Sequence, residues 1–172
     1  MFDPTAFDNM KVVIEGAIYD RDISGDLVII DRNDIMNMAK MSREFDITFR
    51  LPDSAYTAKF EMKAMLSNLA AELVPIIDTE ALAGCYVGVQ FFLEHEKEID
   101  YQRLTKILLD VWGASRTINI ALHYDPLALN KRMKTVLSVS FERLITEDHL
   151  NDLIGMTEYL INTLEQINNL NL

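Results

Sequence analysis

Apolar and polar residues alternate most cleanly between residues 45 and 64. Phe45, Ile47, Phe49 and Leu51 fall on one side of an extended chain, Asp46, Thr48 and Arg50 on the other. After Pro52-Asp53-Ser54 the alternation resumes, with Tyr56, Ala58, Phe60, Met62 and Ala64 against Thr57, Lys59, Glu61 and Lys63. Period two on both sides of a Pro-Asp-Ser turn predicts a β-hairpin with one face in a core. Residues 11–19 (KVVIEGAIY) and 27–30 (LVII) are rich in β-branched side chains and predict an earlier hairpin. Asn33 or Asp34 then caps a predicted helix carrying Ile35, Met38 and Ala39 at helical spacing.

Further along, the pattern predicts a helix over residues 65–74 that stops before Pro75, and a central strand over residues 85–93. Asp100 caps a helix striped by Tyr101, Leu104, Leu108 and Val111, which Gly113 ends. Residues 117–124 and 132–142 alternate as strands. From Thr146 a long helix carries Leu150, Leu153, Ile154, Leu160, Ile161, Leu164 and Ile167. The order ββα, ββα, βα, ββα predicts one α+β domain over residues 1–172. Its antiparallel sheet has six or seven strands built from hairpins, with helices packed on one face and the long C-terminal helix among them. Residues 75–83 read as an internal connection.

Composition narrows the partners. With 172 residues, 49% of them apolar, the chain can build one real core. Its net charge of −11 repels phosphate backbones and anionic lipid, which argues against nucleic acid and membrane surfaces. No apolar run approaches the roughly 20 residues that span a bilayer, and the first ten residues are acidic where a signal peptide is basic. Cys85 is the only cysteine and sits in an apolar stretch, as expected of a buried thiol in the reducing cytoplasm.

Candidate chemistry is sparse. Residues 20–31 (DRDISGDLVIID) resemble an EF-hand calcium loop, with oxygens at Asp20, Asp22, Ser24 and Asp31 in register and Gly25 at the sharp turn. Ser24 and Asp31 depart from the pattern, since the closing position needs a bidentate Glu. The flanks read as strands where the motif needs helices. An acidic turn, with Gly25 at positive φ, is the expected outcome, leaving Asp20, Asp22, Ser24 and Asp31 as weak metal candidates. In Glu94-His95-Glu96, period two sends His95 one way and the acids the other. His123 and His149 have no sequence partners that mark a triad, and no phosphate-binding glycine loop or nucleophile motif is present. The outer face of the sheet would carry Arg50, Lys59, Lys63, Gln90, Asn119, His123, Ser138 and Ser140.

These readings predict a non-enzymatic cytoplasmic protein without a cofactor, acting as a protein-interaction or self-association module. The wide stripe of the last helix suggests a homodimer, with Leu153, Leu160, Leu164 and Ile167 as interface residues. Its acidic outer side would face Lys131, Arg132, Lys134 and Arg143 of a second copy. Packing of that stripe on the sheet of the same chain is the competing expectation. The alternative function is a small-ligand or calcium-binding protein, using the 20–31 loop or a cavity between sheet and helices.

Overall fold

The computed structural model describes residues 5–73 and 80–172. Six strands form one antiparallel sheet: β1 (Val28–Asn37), β2 (Ser42–Arg50), β3 (Thr57–Ala64), β4 (Cys85–His95), β5 (Thr117–Tyr124) and β6 (Met133–Ile145). Their spatial order is β1-β2-β3-β4-β6-β5. The helices α1 (Thr5–Ser24), α2 (Leu66–Leu73), α3 (Tyr101–Trp112) and α4 (Leu150–Asn168) pack on one face. The fold is α+β, with a long C-terminal helix. No helix among the described residues is long and apolar enough to cross a membrane.

The alternation in residues 45–64 is the reason the centre of the sheet forms. Phe45, Ile47 and Phe49 of β2 and Ala58, Phe60 and Met62 of β3 turn inward and are buried, and Val89 and Phe91 of β4 continue that layer. Asp100 caps α3 by accepting the backbone N–H of Arg103 at 3.1 Å, and Gly113 ends it with φ +87°. Helix α2 starts one residue later than its predicted onset; Val74 and most of the 75–83 connection lie outside the described residues.

Two early elements differ from expectation. Residues 11–19 belong to α1, not to a strand. Phe7, Met10, Ile14 and Ile18 recur at intervals of three and four and are all buried. The same helix also shows solvent an apolar row of Val12, Tyr19 and Ile23. Apolar residues on two sides mask the helical period, and the run Val12-Val13-Ile14 then mimics a strand. Gly25 does have positive φ (+84°), but as the terminator of α1 and not in a hairpin turn. Its N–H meets the Asp22 carbonyl at 3.1 Å, and the Asp26 N–H meets the Arg21 carbonyl at 2.9 Å. This is a Schellman closure.

The second difference is residues 33–37, which continue strand β1 and form no helix; Asn33 and Asp34 pair with Asp46 and Phe45 of β2. Every residue of β1 is at least partly exposed, so the period-two signal that marks a half-buried strand is absent. The first hairpin is therefore β1–β2, and the chain begins α, β, β, β.

The wide stripe of α4 is core. Leu153, Leu160, Leu164 and Ile167 are buried within their own chain, with Met156, Thr157 and Thr163 beside them. This corrects the expectation that those four residues meet a second copy. They already cover the inner face of the sheet. Helix α1 lies alongside α4: Asn9 donates to Glu147 Oε1 at 2.6 Å, and further on Arg21 pairs with Glu158.

Candidate interaction edge

Strand β1 ends the sheet, and among the described residues no strand lies beyond it. Its neighbour β2 fixes which way each side chain points. Ile29, Arg32 and Asp34 lie opposite Phe49, Ile47 and Phe45 and so face the helices; Asp31, Asn33 and Ile35 lie opposite Thr48, Asp46 and Glu44 and face away. A bulge at Ile30 shifts the register between Ile29 and Asp31.

Ion pairs hold this edge under α1. Asp34 accepts Nε and Nη2 of Arg43 at 3.1 and 3.0 Å and Nζ of Lys11 at 2.6 Å. The Arg43 guanidinium, helped by Lys11, holds the Asp34 carboxyl down at about 2, against the opposing effect of partial burial. Arg43 also pairs with Asp8 at 2.8 Å, while Arg32 pairs with Glu15. Asp8, Val12, Glu15 and Tyr19 follow one another along a single helical row. The two acids reach down to the strands, and Val12, 63% exposed, stands between them.

What the edge shows to water is apolar at intervals. Ile30, Ile35 and Met36 are each about half exposed, and Met38 at the hairpin tip is 73% exposed. The tip is ordered: the Asn37 side chain accepts the backbone N–H groups of Ala39 and Lys40, both at 3.1 Å, and Met41 completes the turn at φ +51°. Exposed methionines on a fixed turn offer soft, adaptable contact surface. Nothing in the residue pattern marked this edge, because only the strand order makes β1 terminal.

The weak metal candidates are dispersed. Asp20, Asp22 and Ser24 lie on α1, and Asp31 lies on β1. Asp22 Oδ1 accepts the Ile29 N–H at 3.2 Å, Ser24 Oγ donates to the Arg21 carbonyl and to Asp26, and Asp31 accepts Asn33 Nδ2 at 3.0 Å. Among the described residues no three His, Cys, Asp or Glu side chains converge as metal ligands would. Of this stretch, Asp26 titrates below the usual carboxylate range, because Arg21 and Ser24 hydrogen-bond to it. Its oxygens close a helix end.

The histidines have local partners. His95 is buried on the inner face. Its Nδ1 lies 2.7 Å from the Lys97 carbonyl and donates there, while Nε2 shares a hydrogen bond of 2.9 Å with the Thr135 hydroxyl. His149 Nδ1 accepts the Thr146 N–H at 3.2 Å. His123 stands on the outer face opposite Lys134. Arg50, Lys59, Lys63, Gln90, Asn119, His123, Ser138 and Ser140 all lie on the outer face, but only Lys59, Gln90, Ser138 and Asn119 form a row of cross-strand neighbours. Lys63 pairs with Glu44 there, Lys59 lies 3.3 Å from Glu61, and Lys134 lies 4.7 Å over the Phe92 ring. Cys85 is buried, and burial pushes its thiol up to about 12, which removes it as a nucleophile.

No protein-family model, curated protein or solved structure matches this chain, so a functional reading must come from its own residues.

Proposed function

We propose that the chain is a non-enzymatic cytoplasmic module that self-associates by pairing β1 with β1 of a second copy. The observation that carries this reading is the edge itself: a ten-residue terminal strand with no buried residue and exposed Ile30, Ile35 and Met36. Terminal strands are templates for pairing unless something blocks them. Here the bulge and the charges at Asp31, Arg32 and Asp34 block most registers, and one register turns the charges into an attraction.

Consider antiparallel pairing that keeps both helix layers on one side of the joined sheet. With Asn33 opposite Asn33 of the second copy, Arg32 stands opposite Asp34 twice over, and Asp31 stands opposite Ile35. Shifting by two residues puts Arg32 opposite Arg32 or Asp34 opposite Asp34, which is repulsive. Each opposite-charge cross-strand pair contributes about 0.2–1 kcal/mol, so charge selects the register and the paired backbone and apolar flanks supply the affinity. Val12 and Tyr19 of α1 stand beside the same edge and gain cover from the second copy. The single buried thiol fits a reducing cytoplasm.

Ile35→Asp tests the reading, because it sets one carboxylate against Asp31 of the other copy at each of the two symmetric positions while touching no core residue. Light scattering should give a dimer for the wild type and a folded monomer for the variant. A wild type that stays monomeric at high concentration contradicts the proposal.

A further inference from the structure

Away from the edge, a cleft of about 360 Å³ opens between the end of α3, strand β6 and the first half of α4. That volume is in the range of small-ligand sites, about 300–1,000 Å³. Its walls are aromatic. Trp112 packs edge-on to Phe141 and to Tyr159, with ring centroids 5.8 and 5.6 Å apart. The Trp112 indole N–H is already used, donating to Thr163 Oγ1 at 3.0 Å, so the indole is fixed in place. Two arginines also line the cleft. The Arg116 guanidinium lies 4.9 Å over the Phe141 ring, and its Nε is buried without a hydrogen-bond acceptor among the described residues. Arg143 has Asp152 as its nearest acid at 3.8 Å, beyond hydrogen-bond length.

A local irregularity opens this space. Gly88 of β4 lies opposite Ser140 of β6, but Tyr86 lies opposite Leu144, so residues 141–143 stand against Val87 alone. At the centre of this bulge Glu142 has φ +49°, in the left-handed region that non-glycine residues rarely occupy. Thr117 Oγ1 donates to Glu142 Oε1 at 2.5 Å and holds the bulge. Bulges redirect side chains, and this one directs both Phe141 and Arg143 toward the cleft. Strained residues and buried donors without acceptors are both costly and tend to mark places where something binds.

We infer that this cleft binds a small aromatic carboxylate, its oxyanion shared by Arg116 and Arg143 and its ring held among Trp112, Phe141 and Tyr159. A planar carboxylate suits the guanidinium fork, and the apolar walls suit a ring over a fully polar anion. The protein's net charge of −11 disfavours anions in general, so selectivity must arise from these two cations.

Trp112 is the only tryptophan and sits in the wall, so its fluorescence reports occupancy. Benzoate and its neutral analogue benzamide are the probes, with calorimetry as a second readout. Benzoate should change the emission saturably with millimolar affinity, as befits a fragment, and benzamide should bind about tenfold more weakly. Arg143→Gln, at an exposed position, and Arg116→Gln should each weaken benzoate by about tenfold, while Lys59→Gln on the outer face leaves it unchanged. Equal binding of benzoate and benzamide, benzoate binding that survives both arginine variants, or no saturation with benzoate overturns the inference.

Discussion

The centre of the sheet and its β1 edge use the same kinds of residue in opposite ways. From Phe45 onward in β2 and throughout β3 every second side chain is buried, and the apolar residues there are held by strands on both sides and helices above. In β1 no side chain is buried, yet Ile30, Ile35 and Met36 are as apolar as any core residue. Apolar area in the centre is already removed from water by the fold. At the edge it is still exposed, and the pairing proposed above would remove it from water. The difference separates residues that hold the chain together from residues free to hold two chains together.

The comparison predicts stabilities. Phe49→Ala, at the buried centre, should cost about 3–5 kcal/mol in denaturant melts. Thr48→Ala, next to it on the outer face, should cost far less; equal losses would mean that the two faces are not distinct. Gly84→Ala should cost about 1–3 kcal/mol, because an added Cβ meets the Ile145 backbone carbonyl where β4 starts beside β6. Met38→Ser at the hairpin tip should leave the melt within about 0.5 kcal/mol of wild type.

Acid sharpens the contrast at Asp34. Its carboxyl ionises near 2 in the folded chain and near 3.9 when unfolded, so between those values the unfolded chain binds more protons. The stability that Asp34 contributes is present above pH about 4 and is lost as pH falls toward about 2. Asp34→Asn should be less stable than wild type at neutral pH, with the difference shrinking across that window. A constant difference would remove the Arg43 and Lys11 pairing as its source.

The same contrast explains what was legible. Strands β2, β3, β4 and β6 could be read because a half-buried strand alternates, β5 because Ile118 and Ile120 alternate with exposed Thr117 and Asn119, and α3 because its stripe is single and capped. Helix α1 was hidden by apolar residues on two sides, with Phe7, Met10, Ile14 and Ile18 inward and Val12, Tyr19 and Ile23 outward. The β-branched start of β1 at residues 28–30 was legible, but residues 33–37 were hidden because solvent on both faces leaves nothing to alternate. The stripe of α4 was visible, but whether a sheet or a second chain covers it depends on topology. The edge and the bulge at Glu142 likewise depend on strand order and register, which local spacing does not encode.

The most direct test of the paired edge is a cysteine at its centre. Directly opposed residues of antiparallel strands have Cα atoms about 4.5–5.5 Å apart, within the roughly 4.4–6.8 Å span of a disulfide. The native Cys85 is buried, with its thiol pushed up to about 12, and will not compete. Under mild oxidation Asn33→Cys should give a covalent dimer in high yield. Ile35→Cys, which would face Asp31 of the other copy, should give little. Cross-linking that is equal at both positions, or absent from Asn33→Cys, would contradict the pairing.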